Sequence, residues 1–453
     1  MKFKKKILCL LSLFLIYKVF IYNNDFFVER LNEVKDYVIE QASIMINGHD
    51  LIDEYDSSDV ESSFLKNKDN YTPNDDAENK VFNSISEASS YLRKQMVNRK
   101  NNITVRINRK FYNDMPKYVF NKAVSVYPGN VSSEGDYLAN NLKGYNCQAE
   151  YSLYKNSTTL KYNVSYLTTE TEEDEVNYKV KLVLDKLNVY DKDDYTKVKA
   201  VHDYIVKNIK YDYSLQNYSA YDAIINKKVV CQGYATLTYK MLTELGVNCR
   251  YISGTSDEGP HAWNIVRIDG KYYNVDLTWD DQGSNILYAY FNLTDARMTE
   301  DHAPEETKYA MPVCDSEEAE YFTVFGGKTE GFSAEELGGL IRNNGTRLHV
   351  YVTGDTAAFS NDLRNNFFKM TSAAGLGISA VSGKWYSLGR EFLIIVIVRG
   401  DANGDGITDI RDYVSMKECA LTAGYDKAAD INADGSVNAS DITELRKRLL
   451  EAE

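Results

Sequence analysis

Apolar residues along this chain switch between helical and strand-like spacing, which predicts a mixed α+β fold. Between Asp193 and Ile209, valines and isoleucines recur at intervals of three and four residues and so occupy one face of a helix. A second helix is predicted over 231–245, with Gly246 at the position that commonly ends a helix. Runs rich in β-branched and aromatic residues predict strands over 249–253, 261–268 and 271–277.

The two ends of the chain have patterns of their own, so we expect several domains. Met1 to Lys6 is strongly basic and an apolar run then reaches Tyr22, which is typical of a secretory signal peptide. The run has no clear small-residue cleavage motif, and an uncleaved N-terminal membrane anchor is the alternative. The predicted segments are 1–22, the leader; 23–80, a stalk and acidic linker; 81–192, an α+β lead-in; 193–313, a central domain; 318–399, a small α+β domain of unknown role; and 400–453, a C-terminal module.

Composition and charge narrow the class of protein. The 453 residues include 66 Asp and Glu but 52 Lys and Arg, a formal net charge of −14, so we expect no basic surface for nucleic acid. Six cysteines are too few for a disulfide-stapled scaffold. Once Cys9 of the leader is set aside, the number of cysteines is odd, and at least one thiol stays unpaired within the chain. A bridge between Cys147 and Cys314 is one candidate, although spacing does not decide the pairing.

Cys231 is the strongest candidate nucleophile. It stands at the first turn of the predicted helix 231–245, where unpaired backbone N–H groups and the helix dipole stabilise an anion. This position favours the thiolate, which is the reactive form of cysteine. The alternative is a structural cysteine, which we expect for Cys249 and Cys419 because a free thiol packs like a small hydrophobic side chain.

The hairpin that follows supplies a base and an acid. A two-residue turn at Asp269-Gly270 sets a register that places Trp263 opposite Asp276. Because residues two apart on a strand share a face, His261 lies diagonally across from Asp276. The carboxylate can then orient the imidazole toward a thiol. Contact between this hairpin and the helix 231–245 is an assumption here, and a core histidine is the alternative.

Three motifs in this region resemble the transglutaminase-like superfamily. The resemblance covers about 193–301 and implies a papain-like fold in which Cys231, His261 and Asp276 form the triad. It also implies acyl transfer on protein or peptide amides through a thioester, with no cofactor for catalysis. The motifs are V-C-Q-G-Y-A from Val230, H-A-W-N-I-V from His261 and Y-Y-N-V-D-L-T-W-D-D from Tyr272, with K-Y-D-Y from Lys210 and Y-F-N from Tyr290 beside them.

An acyl-transfer enzyme of this kind needs donors for the oxyanion of its intermediate. The backbone N–H of Cys231 is one expected donor. His202 is expected to be a surface or packing residue, and His302 is given no role. The candidates for the second donor, each of which is otherwise a packing residue, are Gln232, Trp263 and Tyr234.

An oxygen-rich loop occurs twice within 400–453. Each copy has oxygen side chains at loop positions 1, 3, 5, 9 and 12, Gly at position 6 and a backbone carbonyl at position 7, which is the logic of an EF-hand calcium loop. Position 12 is Asp rather than Glu, and a strand rather than a helix is predicted before the first copy. The candidate calcium ligands are Asp401, Asn403, Asp405, Ile407, Asp409 and Asp412 in the first copy and Asp430, Asn432, Asp434, Ser436, Asn438 and Asp441 in the second.

These tandem half EF-hands resemble a type I dockerin over about 400–450. The resemblance implies an all-α module that folds around two calcium ions and binds a cohesin module of an extracellular scaffold protein, in a cellulosome-type complex. In that family, loop positions 10 and 11 help to select the cohesin. Here they are Ile410-Arg411 and Ala439-Ser440, so the two copies differ.

Together these patterns predict a secreted or cell-surface, multidomain α+β protein. We expect a cysteine peptidase, amidase or transglutaminase that a dockerin recruits to a scaffold. The first alternative is a transglutaminase-like module that only binds protein. The second is an accessory protein of polysaccharide degradation, although no pair of carboxylates that would flank a sugar is identified.

Overall fold

A computed structural model of the chain describes residues 80–125, 134–152, 155–283, 285–305, 311–376, 381–404, 407–422 and 424–451. The predicted leader and the predicted stalk and linker up to residue 79 lie outside these described residues. The described chain forms two compact units. The first comprises 80–125 and 138–170, and the second comprises the remaining described residues.

The first unit is a four-stranded sheet with helices packed on one face. The strand order is β1-β2-β4-β3, with β1 parallel to β2 and the other pairs antiparallel. In β4, alternate residues such as Leu160 and Tyr162 are buried, as expected for a strand with one face against a core. The elements are β1 (Val81–Phe82), α1 (Ile85–Val97), β2 (Asn102–Ile107), α2 (Met115–Ala123), β3 (Leu142–Ser152) and β4 (Ser157–Tyr166).

Boundaries between the two units fall within two further helices. These are α3 (Glu134–Ala139) and α4 (Glu170–Leu187).

The central part of the second unit is an antiparallel sheet packed against helices. Its strand order is β12-β7-β8-β9, and α5 and α6 pack beside it. Asp193 caps α5 by accepting a hydrogen bond from the Thr196 backbone N–H at 2.8 Å. The elements are α5 (Asp194–Asn208), β5 (Lys210–Tyr211), a π-helical turn (Asp222–Asn226), β6 (Lys228–Val229), α6 (Cys231–Glu244), β7 (Cys249–Ser256), β8 (Gly259–Ile268), β9 (Lys271–Val275), α7 (Leu277–Asp280), β10 (Asp281–Gln282), β11 (Asn285–Ile286), α8 (Asp295–Met298) and β12 (His302–Pro304).

The β8–β9 hairpin has the register that its sequence predicts. Ile268 pairs with Lys271 across the Asp269-Gly270 turn, and Asn264 pairs with Val275. The predicted strand 271–277 is two residues too long, because β9 ends at Val275. Asp276 leaves the ladder there, since its side chain caps the short helix α7 instead.

A second sheet follows in the same unit, together with three helices. Its order is β13-β14-β16-β15, and β16 is buried along most of its length. The carboxylate of Glu391 on this sheet accepts a 2.7 Å hydrogen bond from the Tyr288 backbone N–H and so joins the sheet to the central region. The elements are α9 (Tyr321–Val324), β13 (Lys328–Thr329), α10 (Ala334–Asn344), β14 (Arg347–Val352), α11 (Thr356–Ala373), β15 (Val381–Leu388) and β16 (Glu391–Val398).

The C-terminal part consists of two helices, each preceded by one of the oxygen-rich loops. They are α12 (Ile410–Leu421) and α13 (Ala439–Glu451), which pack through buried Met416 and Leu445. The strand β16, rather than a helix, precedes the first loop, as predicted. The Thr346 hydroxyl donates a 2.7 Å hydrogen bond to the Gly404 carbonyl and so holds that loop against the preceding sheet.

The thiols of the described residues are all free. They are Cys147, Cys231, Cys249, Cys314 and Cys419, so the candidate bridge between Cys147 and Cys314 is wrong. None of the helices in the described ranges combines the length and the apolar character that a bilayer crossing requires.

Candidate active site

Cys231 is the first residue of α6, where the local backbone directs it toward the central sheet. Its side chain is half-buried and packs against Ala235, Tyr251 and Ala262. The start of α6 approaches β6 so closely that a Cβ on Gly233 would lie 1.9 Å from a methyl carbon of Val229. Glycine at this position therefore allows the helix to begin beside β6, with Cys231 in its first turn.

His261 lies on β8 between the thiol and a carboxylate. Its Nε2 is 2.6 Å from Asp276 Oδ2, and the Cys231 thiol is a further hydrogen-bonding partner of the ring. Burial lowers the pKa of His261, but the Asp276 carboxylate and the Cys231 thiol outweigh that effect and raise the pKa to about 10. The geometry therefore favours an imidazolium that is held between an acid and a thiol.

Asp276 is buried and accepts four hydrogen bonds. Its Oδ1 accepts from the backbone N–H groups of Thr278 at 2.8 Å and Trp279 at 3.3 Å, and its Oδ2 accepts from His261 at 2.6 Å and His302 at 3.1 Å. Burial raises the pKa of Asp276, but the charge and hydrogen bonds of the two histidines outweigh burial and hold the pKa well below its usual range. The carboxylate is thus ionised and fixed in place.

The fold brings His302, for which the sequence indicated no role, to the same carboxylate. It lies on β12, which pairs with β7, and its other ring nitrogen is 2.5 Å from Asp301 Oδ1. The sequence contained one usable signal, an acid immediately before a histidine. Only the pairing of β12 with β7 places that histidine beside the predicted triad.

Aromatic rings enclose the two histidines. The ring centroid of Trp279 is 4.6 Å from that of His302 and 6.0 Å from that of His261, and the ring of Trp263 is 5.3 Å from His302. The His302 ring itself is fully buried. Low solvent access strengthens the electrostatic interactions within this cluster.

Two of the three candidates for the second oxyanion donor use their donors elsewhere. Trp263 Nε1–H donates to Asn274 Oδ1 at 3.1 Å, and the Tyr234 hydroxyl donates to Asp281 Oδ2 at 2.5 Å. Each of these side chains has a single donor. Neither side chain therefore has a free donor for the oxyanion, and the third candidate, Gln232, lies on the first turn of α6.

His202 is neither a surface residue nor a simple packing residue. It is fully buried on α5, with Nδ1 3.0 Å from Asp203 Oδ1 and Nε2 3.0 Å from Asp280 Oδ2. Burial, which the hydrogen bond from His202 opposes, raises the pKa of Asp280 to about 7. This histidine is therefore held between two carboxylates, as His302 is, but away from Asp276.

The ligand atoms of His261, Asp276 and His302 lie within 4.8 Å of one another, a spacing that a metal ion could also use. Hydrogen bonds from both histidines to one oxygen of Asp276 account for this convergence. The residues therefore fit a hydrogen-bonded triad with a second histidine.

The two oxygen-rich loops present a different kind of site. The residues at positions 1 and 12 of each loop, namely Asp401, Asp412, Asp430 and Asp441, are buried. Asp412 and Asp441 accept hydrogen bonds from backbone N–H groups of their own loops at 2.7–3.2 Å. Oxygen ligands around buried carboxylates suit a hard cation such as calcium.

The other predicted ligands of the loops are less buried. Asn403, Ile407, Asp409, Asn432, Asp434, Ser436 and Asn438 are exposed or half-buried, and Asp405 lies outside the described residues. The carboxylate of Asp409 is bound by the Arg411 side chain at 2.7 Å.

Comparison with known proteins identifies both regions. Residues 183–277 match the transglutaminase-like superfamily and residues 399–450 match the type I dockerin domain. The chain is similar to the kyphoscoliosis peptidases of Mus musculus and Homo sapiens, with 28% identity over 145 residues, 26% of this chain and 22% of each relative. The matched part thus spans under a quarter of these relatives. A crystal structure of a TGase matches 39% of this chain and 50% of its own, with 15% identity and a TM-score of 0.23.

Proposed function

Starting from a chain that carries a transglutaminase-like region and a type I dockerin, we propose that it is an extracellular cysteine acyl-transfer enzyme recruited to a cohesin scaffold. The observation that supports catalysis is the position of His261, which contacts both the Cys231 thiol and the Asp276 carboxylate. In this proposal Cys231 is the nucleophile, His261 is the general base and acid, and Asp276 orients the imidazole.

The proposed reaction has two halves. In the first, Cys231 Sγ attacks the carbonyl carbon of a protein amide while its proton is held by His261 Nδ1. His261 then gives that proton to the departing nitrogen, the C–N bond breaks, and a thioester remains on Cys231. The backbone N–H of Cys231 faces the oxyanion of each tetrahedral intermediate.

In the second half, an acceptor opens the thioester. His261 takes a proton from water or from a lysine amine, the acceptor attacks the carbonyl carbon, and the C–S bond breaks to restore the thiol. Water gives a carboxylate, as in a peptidase or amidase, whereas lysine gives an isopeptide bond. We favour the peptidase or amidase because water is the abundant acceptor outside a cell.

The second part of the proposal concerns recruitment. We propose that the two loops bind calcium and that the resulting dockerin binds a cohesin module. An exposed apolar stripe on α12 supports a protein partner: Ile410 is 67% exposed, Val414 56% and Leu421 84%, at spacings that share one helix face. The predicted leader is consistent with this extracellular setting.

The experiment compares wild-type protein with Cys231→Ala on a protein mixture, with and without a primary amine. Mass spectrometry of the products separates peptide cleavage, deamidation and amine incorporation. Cys419→Ala is the matched control, because Cys419 is also a half-buried free thiol but lies on α12. We expect products from wild type and Cys419→Ala only. Identical products from all three proteins would overturn the catalytic proposal and leave a binding module.

A further inference from the structure

Asp276 is shared by two histidines, and the second lies beyond the region that matches the transglutaminase-like superfamily. His302 Nε2 is 3.1 Å from the same Oδ2 atom that His261 contacts at 2.6 Å. The matched region ends at residue 277, so His302 enters the site from a later part of the chain.

Both ring nitrogens of His302 face a carboxylate, and these two contacts determine where the ring carries its protons. Nδ1 is 2.5 Å from Asp301 Oδ1, and the other oxygen of Asp301 accepts a 2.6 Å hydrogen bond from the Tyr290 hydroxyl. A proton must lie between Nδ1 and Asp301, carried by one or the other, because two lone pairs would repel at this distance. Nε2 is 3.1 Å from the ionised Asp276 carboxylate, where two lone pairs would repel in the same way, so Nε2 carries the hydrogen that points to Asp276.

The fold holds this histidine in place. His302 is 2% exposed, and its strand β12 pairs with β7, where Pro304 lies opposite Gly254. A Cβ on Gly254 would lie 2.3 Å from the Ala303 carbonyl oxygen, so β12 can approach β7 only because that residue is glycine. The rings of Trp263, Trp279 and Tyr290 lie within 5.5 Å of the His302 ring, measured between centroids.

We propose that His302 is a positioning residue for the acyl transfer, acting through Asp276. This inference rests on the proposed function. When His261 gives its proton to the leaving nitrogen, Asp276 loses the positive charge beside it and remains a buried carboxylate. The N–H of His302, together with those of Thr278 and Trp279, keeps that carboxylate hydrogen-bonded and aimed at His261 through both halves of the reaction.

The test uses variants of the full-length protein with calcium present. His302→Leu removes the donor and fills similar space, whereas His302→Gln retains an N–H near the position of Nε2. His202→Leu is the matched control, because His202 is equally buried between two carboxylates but contacts Asp280 in place of Asp276. Circular dichroism and thermal unfolding establish that each variant is folded, and His302→Met replaces His302→Leu if the latter does not fold.

The readout is the rate at which iodoacetamide alkylates Cys231, measured by mass spectrometry of the peptide that contains it. The rate at about pH 6 is divided by the rate at about pH 9.5, and this ratio is compared between variants. An oriented imidazole keeps the thiol reactive at the lower pH, whereas an ordinary thiol, with a pKa of ~8.5, is reactive only at the higher one. We expect His302→Leu to lower this ratio about 10-fold or more, and His302→Gln to restore most of it. His202→Leu should leave the ratio at the wild-type value.

The outcomes separate this inference from the proposed function. A wild-type ratio in His302→Leu, with activity retained, would overturn the role of His302 and leave the triad intact. A wild-type protein whose Cys231 already reacts as an ordinary thiol, and whose products match those of Cys231→Ala, would overturn the proposed function itself. Equal losses in His302→Leu and His202→Leu would also contradict the inference, because they would reflect loss of packing.

Discussion

Buried aspartates in two regions of this protein are stabilised by different means. Asp276 in the central region accepts hydrogen bonds from two histidines and two backbone N–H groups, and the pKa of His261 is raised so that a positive charge lies beside it. Asp412 and Asp441 in the C-terminal loops accept hydrogen bonds from backbone N–H groups, and Asp401 and Asp430 are buried with them. The central site therefore contains its own counter-charge, whereas the loops accumulate negative charge that suits a cation.

The largest expected effect is loss of the C-terminal fold on chelation. Without calcium the buried carboxylates of the two loops repel one another, so EDTA should abolish the unfolding transition of residues 400–451. The alkylation rate of Cys231 should change by less than about twofold, because His261 and His302 bind Asp276 directly in the central site. Calorimetry with and without EDTA measures the unfolding transition, and peptide mass spectrometry measures the alkylation rate of Cys231.

An unchanged C-terminal transition in EDTA would contradict the calcium assignment. Asp412→Asn and Asp441→Asn provide a graded check, since each removes one buried charge and should weaken the dependence on calcium.

The next largest effect is expected from Asp276→Asn. The amide can turn either its oxygen or its N–H toward the imidazole, so the ring is no longer held in the required tautomer, and kcat should fall about 10³–10⁴-fold. Asp280→Asn is the control, because Asp280 is equally buried but binds His202. The kcat of both variants is measured from the steady-state hydrolysis of a protein substrate. A comparable loss in Asp280→Asn would mean that the effect reflects damage to the fold.

A smaller effect should distinguish the two halves of the C-terminal module. The α12 stripe contains Ile410 and Val414, whereas the positions 29 residues later on α13 are Ala439 and Thr443. Ile410→Ser with Val414→Ser should weaken binding to a type I cohesin about 10- to 100-fold, because apolar side chains that become buried at an interface dominate its affinity. Thr443→Ser is the control on α13.

Isothermal titration against a panel of type I cohesins measures this effect. Unchanged affinity in the α12 variant would place the cohesin on another face of the module.

The smallest effect concerns pH and stability. The pKa of His261 is raised from its ordinary value of ~6.5 to about 10, so its contribution to stability is present below about pH 6.5 and is lost as the pH rises through 10. Asp276 acts in the opposite sense: its lowered pKa contributes stability above about pH 4 that is lost in acid. Urea unfolding at about pH 6.5 and 9.5 should therefore show lower stability at the higher pH.

His261→Gln should flatten this dependence on pH, because glutamine does not titrate. If the free energy of unfolding changes equally with pH in wild type and in His261→Gln, then His261 does not carry the raised pKa.

Local features were predictable because each depends on residues a few positions apart. The buried apolar face of α5, the position of Cys231 at the start of α6 and the register of the β8–β9 hairpin all follow from spacing and turn chemistry. The end of β9 was misjudged by two residues, since Asp276 caps α7 rather than extending the strand. Capping and strand pairing compete for the same backbone groups, and sequence alone does not rank them.

Features that depend on distant partners were not predictable. Trp263 and Tyr234 were plausible oxyanion donors until the fold paired them with Asn274 and Asp281. Glu391 had no assigned role, yet its carboxylate joins the sheet of β13–β16 to the central region by accepting the N–H of Tyr288.

Spacing along the chain is enough to identify the available chemistry: a cysteine at a helix start, a histidine and an aspartate in hairpin register, and two loops with oxygen ligands in the order a hard cation requires. The contact of Asp276 with a second histidine depends on the fold, because the pairing of β12 with β7 brings His302 to the site from residues after the recognisable motifs. The physical reason is that spacing along the chain encodes local geometry. The donors that reach a buried carboxylate are selected instead by which distant segments pack together once the core forms.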